Sequence, residues 1–350
     1  MSKRSARKNN NWKFNQIDSK TKKKNKLAFA VLGLLIFLLL VGQTVRFINS
    51  LFTPITDTGT DSSPYSLDSN FNVNFVLKST PISLVNFNPQ EKTITIVDIP
   101  EDIYVEVPQG FGSWQIRAVY ELGESKKGIG GWNLLEKTMS NLFGLPIDGF
   151  LNLEEQSDKS GKEIIDSLRQ NPLNFFSVLS SIESDFTPVE LIKLKLALSQ
   201  VRFDKVKTLD LKRFKLLEPD KLGDGTPILI ADPVKLDSAD IDFVDRIIRK
   251  EQLSIAVFNA TDQPGLAQKA ARIIKNIGGN VIVTSNISKK VKSTQVLTNE
   301  ESETSKRLRQ IFESLCNNNN TCDKITDETE INNSRAKINV VVGEDFYEKF

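Results

Sequence analysis

The chain has no histidine among its 350 residues, and this absence excludes whole classes of chemistry. Ser-His-Asp triads, zinc sites with His ligands and imidazole proton shuttles all require that side chain. Cysteine is nearly as scarce, because Cys316 and Cys322 are the only two, and two thiols without histidine make a poor metal site. They flank an Asn-rich loop, where an oxidising compartment permits a local disulfide. Two unpaired thiols are the alternative.

Long apolar runs are also absent, with one exception near the N-terminus. Residues 27–41 carry no charge, and counted through Val45 or Ile48 the apolar segment has about 20 residues. A helix of that length crosses a bilayer core of roughly 30 Å. A cleaved signal peptide has a shorter apolar core and ends at a small-residue cleavage site, which this segment lacks. The sequence therefore predicts an uncleaved transmembrane signal anchor over residues 27–48.

Positive charge is concentrated before this segment. Residues 1–26 contain ten Lys and Arg but one acidic residue, Asp18. Because basic flanks stay cytoplasmic, we expect a single-pass protein of the cell membrane with its N-terminus inside and its C-terminal ectodomain outside. The rest of the chain has 36 Lys and Arg against 43 Asp and Glu, so the ectodomain is mildly acidic. This balance disfavours nucleic acid as a partner and leaves the lipid bilayer as the first predicted one.

Composition divides the remaining chain into a stalk and two parts. Residues 49–70 are rich in Thr, Asp, Ser and Pro, which is typical of a solvated stalk. Residues 71–250 mix β-branched segments with helical periodicity and predict an α/β (α+β) domain. Residues 251–350 have a β-α-β order that predicts a small α/β sandwich with parallel neighbouring strands. The predicted fold class is thus an α/β (α+β) ectodomain in two parts behind one transmembrane helix.

Periodicity and turn residues also place individual elements. Strands are predicted over residues 72–77, 82–87, 93–99, 104–107, 228–231, 253–258, 280–284, 294–298 and 338–342. Helices are predicted over residues 132–143, in two or three segments of 161–200, and over 241–250, 264–277 and 302–315. Thr187, Pro188 and Glu190 form a helix start signal, since Thr caps, Pro fits the first turn and Glu favours the positive helix end.

Several segments of the last hundred residues look like the LytR C-terminal domain, over roughly residues 253–346. They are Ile255–Thr261, Pro264–Ala267, Gly278–Val281 and Val340–Phe346. The resemblance implies a protein of the cell envelope.

The preceding part resembles the catalytic domain of the LytR-CpsA-Psr family, which also lies outside the membrane behind an N-terminal signal anchor. The matching segments are Ile82–Pro100, Asp102–Pro108, Ile116–Tyr120 and Leu142–Gly149. The resemblance implies transfer of glycopolymers from a polyprenyl pyrophosphate carrier to the cell wall, with Arg and Asp side chains that hold pyrophosphate and a divalent metal.

The charges that carry that chemistry are largely missing. Where the family has Arg-x-Asp-Thr, this chain has Lys78-Ser79-Thr80-Pro81, and where the family has Pro-Arg-Asp, it has Pro100-Glu101-Asp102. Glu cannot make the bidentate hydrogen bonds by which Arg holds a diphosphate. Only Asp102, as candidate catalytic residue and metal ligand, and Arg117, as candidate catalytic residue, carry over. The later basic residues lack the family's spacing and predict a solvated face: Arg202, Lys205, Lys207, Lys212, Arg213 and Lys215.

Three functions follow from these observations. The leading hypothesis is a non-catalytic relative that binds wall glycan, a lipid-linked precursor or an envelope partner and needs no cofactor. The alternative is an active phosphotransferase with Asp102 as Mg²⁺ ligand and Lys78, Arg117 or Arg202 neutralising phosphate. A structural tether or transcriptional modulator is a third class, which the family's naming suggests.

Four aromatic residues in the first part have two interpretations. Phe111, Trp114, Tyr120 and Trp132 either pack in the core or face a polyprenyl chain or sugar rings. Core packing is the preferred interpretation, and it predicts that Trp132→Ala destabilises the fold.

Overall fold

A computed structural model of the chain gives the fold. It describes residues 32, 37, 40–44, 51, 53, 55, 71–153, 158–170, 182–239, 241–313, 331 and 333–350. The chain divides into two compact units, Met1–Phe52 and Thr53–Phe350. Within the described residues, no helix is both long enough and apolar enough to span a membrane. Most of the predicted anchor, most of the stalk and both cysteines lie outside these residues, so the anchor and the disulfide stay predictions.

The second unit alternates strands and helices. Its strands are β1 Val73–Lys78, β2 Ser83–Asn88, β3 Thr93–Asp98, β4 Ile103–Val107, β5 Gly112–Gln115, β6 Gly149–Leu153, β7 Ile182–Ser184, β8 Val206–Asp210, β9 Leu217–Lys221, β10 Pro227–Ala231, β11 Ser254–Asn259, β12 Asn280–Asn286, β13 Gln295–Thr298 and β14 Ile338–Val342. Its helices are α1 Ile116–Ser125, α2 Gly131–Phe143, α3 Gly161–Gln170, α4 Pro188–Ser199, α5 Pro233–Ser238, α6 Arg246–Glu251, α7 Leu266–Asn276, α8 Glu303–Phe312 and α9 Asp345–Lys349.

The largest sheet has six strands in the order β7-β6-β1-β2-β3-β8. β1 and β3 are each antiparallel to β2, while β6 is parallel to β1 and β8 is parallel to β3. The carboxyl ends of β1, β3, β6 and β8 therefore meet at one end of the sheet. Alternate side chains of each strand enter two apolar layers, one against α3 and α4 and the other against α1 and α2.

Helix α4 begins where the sequence predicts. The Thr187 side chain accepts a hydrogen bond from the Glu190 backbone N–H, and the Glu190 carboxylate accepts one from the Thr187 backbone N–H. This capping box satisfies two donors that a helix N-terminus otherwise leaves without partners. The predicted start signal is confirmed.

Two four-stranded sheets complete the unit, with the orders β5-β4-β10-β9 and β12-β11-β14-β13. In the latter, β11 and β12 are parallel and α7 connects them, which confirms the predicted β-α-β unit. β14 is parallel to β11 and antiparallel to β13, so the sheet is mixed. The mixed α/β class is confirmed for the described part of the chain.

A single apolar core connects the two predicted parts of the second unit. It joins Leu84 and Leu134 from the first part to Ile255, Ala270 and Leu308 from the second, all of them fully buried. Arg272 of α7 also reaches across, donating to the Asn141 and Leu142 carbonyl groups. The two parts therefore pack as one body rather than as independent domains.

A buried ion cluster, formed by Arg307, Asp148 and Asp245, lies in this contact. The Arg307 guanidinium is 3.3 Å from an Asp148 carboxylate oxygen and 3.6 Å from one of Asp245. It also donates to the Asn72 carbonyl oxygen at 3.0 Å. Burial raises the pKa of Asp148, and it raises that of Asp245 to about 6, while the Arg307 charge opposes both shifts. Helix α8 is thereby joined to the amino ends of β1 and β6.

Some element predictions are wrong in their bounds. The helix predicted over residues 241–250 begins only at Arg246, because the backbone of Asp245 is extended, with φ −69° and ψ 112°. The Asp245 carboxylate accepts from the Asn72 backbone N–H across the contact and does not cap the helix. The helix predicted from Pro264 begins at Leu266, since Gly265 has a left-handed φ of 86°. Helices α1, α5 and α9 and strands β5 to β9 are absent from the prediction; several are short, and β8 and β9 are largely exposed.

Candidate functional site

An acidic groove lies at the carboxyl ends of β1, β3 and β8. Its volume is about 560 Å³. The lining residues are Thr80, Pro81, Asp98, Pro100, Glu101, Asp102, Arg117, Asp210 and Lys212. Predicted site residues Asp102 and Arg117 both lie in it. Ends of parallel strands commonly form ligand sites because loops from several strands converge there.

Two carboxylates face each other in the groove across neighbouring strands. Asp98 ends β3 and Asp210 ends β8, and the parallel register makes them direct partners. The Ser83 hydroxyl donates to Asp98 at 2.7 Å, and the Ser79 hydroxyl lies 2.9 Å from that of Ser83. Burial raises the pKa of Asp98, the Asp210 charge raises it further, and the Ser83 hydrogen bond opposes the shift. Such a pair favours a proton, a cation or a hydrogen-bond donor between its members.

The remaining charges sit on the rim. Lys212 Nζ is 3.1 Å from an Asp102 carboxylate oxygen, and these two side chains are 52% and 40% exposed. The Arg117 guanidinium donates to the Gln115 side-chain oxygen at 2.7 Å, while its backbone N–H donates to the Glu101 carbonyl. Both cations are therefore available to solvent. Each already has an acceptor close by.

The charge of the groove is negative overall. Its four acidic residues, Asp98, Glu101, Asp102 and Asp210, outnumber its two basic ones. In the part of the chain that the structure describes, no group of three or more His, Cys, Asp or Glu side chains is placed to hold a metal ion. An arrangement of this sign attracts cations and hydroxyl donors more readily than a free diphosphate.

The aromatic residues separate into two pairs rather than one cluster. Trp132 is 4% exposed and stacks on Phe150 with a centroid distance of 4.3 Å, and Tyr120 contacts it edge-on at 4.9 Å. Trp114 is 43% exposed, and its indole N–H donates to the Phe111 carbonyl. Core packing is confirmed for Trp132 and is wrong for Trp114.

Two bases from the phosphotransferase hypothesis lie outside the groove. Lys78 Nζ is 5.4 Å from the Tyr120 ring centroid and 5.8 Å from that of Trp132. Arg202 precedes β8 at the other end of the sheet, where it pairs with Asp204 at 3.1 Å and is 78% exposed. Neither residue is among those that line the groove. Of the three cations that the phosphotransferase hypothesis names, Arg117 is therefore the one that lies in the groove.

Sequence reasoning missed Asp98, Asp210 and Lys212 as site residues. Strand β8 was not predicted, because its basic residues suggest a solvated surface. Its mostly exposed positions also show no clear alternation of apolar and polar residues. Had β8 been placed parallel to β3, Asp98 and Asp210 would have fallen at equivalent ends of neighbouring strands.

Fold and groove together define a class: a mixed α/β protein of two fused parts, with a polar groove at the carboxyl ends of parallel strands. Residues 77–173 match the model of the LytR_cpsA_psr family. Residues 252–346 match the model described as LytR cell envelope-related transcriptional attenuator. The chain therefore carries both regions, and the resemblance drawn from its sequence is confirmed.

Solved structures show weaker similarity. TagV of B. subtilis is 14% identical, with 48% of this chain and 92% of TagV covered and a TM-score of 0.37. TagT of B. subtilis is 16% identical, with coverages of 53% and 94% and a TM-score of 0.36. The family protein YwtF (TagT), with bound octaprenyl pyrophosphate lipid, is 16% identical over 53% and 92% at a TM-score of 0.35. No curated protein sequence matches the chain. Similarity of this degree defines no ligand for this chain.

Proposed function

We propose that this chain is a membrane-anchored cell-envelope protein that binds a wall glycan, a lipid-linked precursor or an envelope partner at the acidic groove, without catalysing glycopolymer transfer. In this proposal, residues 27–48 span the cell membrane, the tail before them is cytoplasmic, and the remainder lies outside. The two family-model matches and the predicted signal anchor support it.

The observation that carries the non-catalytic part is the charge of the groove. Glu101 lies on the rim where the resemblance implies an Arg, and Lys212 is already paired with Asp102. A diphosphate entering the groove would meet more carboxylates than cations, and the Arg117 guanidinium of the lining already donates to Gln115. Binding of a free pyrophosphate group is therefore disfavoured.

Neutral sugar hydroxyl groups fit the same groove better. Carboxylates accept hydrogen bonds from hydroxyl donors, and the pair formed by Asp98 and Asp210 presents several acceptor oxygens at one place. Thr80 adds a short polar side chain to the lining. A wall glycan or the glycan portion of a precursor is thus the ligand class that the groove favours.

One observation favours the alternative, an active phosphotransferase. Asp98 and Asp210 lie side by side and Asp102 lines the same groove. Mg²⁺ binds through one or two carboxylates together with substrate phosphate oxygens and retained waters, so this pair could hold it beside a diphosphate. The metal would supply positive charge, while Arg117 and Lys212 would position and neutralise the phosphate groups.

The test is binding to the full-length protein in lipid nanodiscs. Titration with a polyprenyl pyrophosphate, with and without Mg²⁺, is compared with titration by metal-free wall-glycan fragments. The variants are Asp98→Asn and Asp102→Ala, and the matched control is Asp220→Asn, an exposed carboxylate of β9 outside the groove lining.

We expect glycan binding that needs no metal and that weakens about tenfold in Asp98→Asn, since a bond to a charged acceptor contributes about 1.5 to 3 kcal/mol. Asp220→Asn should bind as the parent does. Diphosphate binding that requires Mg²⁺ and disappears in both groove variants would contradict the non-catalytic proposal and support the phosphotransferase.

A further inference from the structure

Two large apolar side chains are exposed at the end of the main sheet opposite the groove. Phe203 is 67% exposed and immediately precedes β8, and Leu196 is 59% exposed on the last turn of α4. Scattered exposed apolar residues are ordinary on soluble proteins, so exposure alone assigns no role. Two further observations, the surrounding charge and the path of the chain, bear on these residues.

Basic residues surround the apolar pair. Lys162 Nζ is 5.4 Å from the Phe203 ring centroid, and Lys92 Nζ donates to Gln200, one helical turn from Leu196. Lys205 is exposed two residues beyond Phe203. We call these five residues the basal patch: Lys92, Lys162, Leu196, Phe203 and Lys205.

Acidic groups beside the basal patch do not cancel its charge. The charge of Asp204 is balanced by Arg202, with which it forms an ion pair and which is not one of the five patch residues. Glu163 accepts hydrogen bonds from Ser160 at the start of α3 and keeps its negative charge. The three patch lysines outnumber it, so the field around the apolar centre stays positive.

The chain meets the sheet at this same end. The Ile55 backbone N–H donates to the Phe186 carbonyl at 3.3 Å, and its side chain packs against the layer of α3 and α4. Phe186 follows β7, which is antiparallel to β6, so this contact lies at the amino ends of β6 and β1. The predicted anchor ends at Ile48, and seven extended residues span at most about 25 Å. In the proposed function, this end of the sheet is therefore the one that the chain joins to the anchor.

We propose that the basal patch docks on an anionic lipid bilayer. Phe203 and Leu196 enter the interface between headgroups and acyl chains, and Lys92, Lys162 and Lys205 neutralise lipid phosphates. The proposal rests on the membrane anchor of the proposed function, and it is independent of what the groove binds.

Docking would limit the orientations open to the protein. β7 and β8 are the two edges of a six-stranded sheet, so five spacings of about 4.8 Å place the tether and the patch roughly 24 Å apart. Docking at the patch would add a second membrane contact to the tether and would restrict rotation of the sheet about the chain.

The experiment measures lipid contact by spin labelling of the full-length chain in nanodiscs. A nitroxide is attached at Ser199→Cys, an exposed residue between Leu196 and Phe203, on a background of Cys316→Ser and Cys322→Ser. The control label is at Phe214→Cys, which is 56% exposed and follows the opposite end of β8. Collision with lipid-soluble oxygen is compared with collision with a water-soluble nickel chelate, in discs with and without phosphatidylglycerol.

The label at position 199 should contact lipid in anionic discs, and the label at position 214 should contact water in every disc. Phe203→Ser should abolish the lipid contact, and Lys92→Gln and Lys205→Gln should each lower the docked population about fivefold, which is the equivalent of about 1 kcal/mol for the one charge removed.

Three results would overturn the docking surface. Water contact at position 199 equal to that at position 214 in anionic discs would remove it while leaving the anchor intact. Spin coupling between two labelled copies in one disc would make a second copy of the chain the occupant. A chain that fails to co-purify with discs would overturn the anchor and, with it, the patch.

Discussion

Two ion pairs of the same chemistry behave differently at the two ends of the main sheet. In the acidic groove, Asp102 and Lys212 lie 3.1 Å apart with side chains 40% and 52% exposed. In the buried ion cluster, Asp245 and Arg307 lie 3.6 Å apart with both side chains 2% exposed. Water screens the first pair and leaves it free to exchange its partner for a ligand. The second pair is closed to water and ligands, so its two side chains stay together and join two parts of the fold.

The buried cluster provides the largest expected effect. In Arg307→Met, the Asp148 and Asp245 carboxylates lose their counter-charge inside the protein, and we expect a loss of about 3 to 5 kcal/mol in the free energy of unfolding. Urea denaturation measures it. Arg309→Met on the same helix, whose partner Glu301 is exposed, is the control and should change stability by less than about 1 kcal/mol.

A double variant sharpens the interpretation of that loss. Arg307→Met combined with Asp245→Asn should regain part of the lost stability, because one of the two unpaired charges is gone. An Arg307→Met protein as stable as the parent would show that the cluster does not join the two parts.

Trp132→Ala is expected to cost about 3 kcal/mol or more, since it removes a buried ring stacked on Phe150. Trp114→Ala, at an exposed indole, is the matched control and should change stability by about 0.5 kcal/mol at most. Thermal melting of both variants makes the comparison. Unchanged melting of Trp132→Ala together with lost ligand binding would instead support a ligand-facing ring.

Buried carboxyl groups make the stability depend on pH. Burial raises the pKa of Asp185 to about 7 and that of Asp245 to about 6, both above the value of 3.8 expected for an exposed Asp. The folded state therefore binds more protons than the unfolded state between about pH 4 and 7, and stability falls as pH rises through that window. We expect the free energy of unfolding to be about 1 to 3 kcal/mol lower at pH 7.5 than at pH 5.5.

Asp185→Asn tests the assignment of that pH dependence. Its denaturation midpoints at the two pH values should differ less than those of the parent. A parent protein that becomes more stable between pH 5.5 and 7.5 would contradict the sign.

The smallest expected effect is in the groove. Asp102→Asn should change the free energy of unfolding by at most about 1 kcal/mol, because its pair with Lys212 is exposed. Denaturation and ligand binding are measured on the same preparation. A loss as large as that of Arg307→Met would mean that the groove pair is structural after all.

Sequence periodicity predicts most of the central strands and the longer helices. Strands β1 to β4 and helix α2 follow directly from alternating or helically spaced apolar residues, and α4 follows from its capping residues. Short or exposed elements escape this reasoning, since β8 and β9 bury few side chains and carry no clear alternation.

The candidate site is predicted in part for the same reason. Asp102 and Arg117 were found by resemblance, and both line the groove. Asp98 and Asp210 could be found only from the register of β3 with β8, which depends on pairing between strands more than a hundred residues apart. Arg307 looks like a solvated helical residue in the sequence, and only the packing of α8 against β1 and β6 makes it buried.

The apolar core shared by the two parts affects how deletion experiments on this chain are read. The boundary between the two family-model regions invites removal of everything after residue 250 as a test of the second region alone. That cut would remove Arg272 from the Asn141 and Leu142 carbonyl groups and Arg307 from Asp148. A phenotype of such a strain would report misfolding and proteolysis of the remainder, so point variants on the surface of the second region are the informative genetic tools.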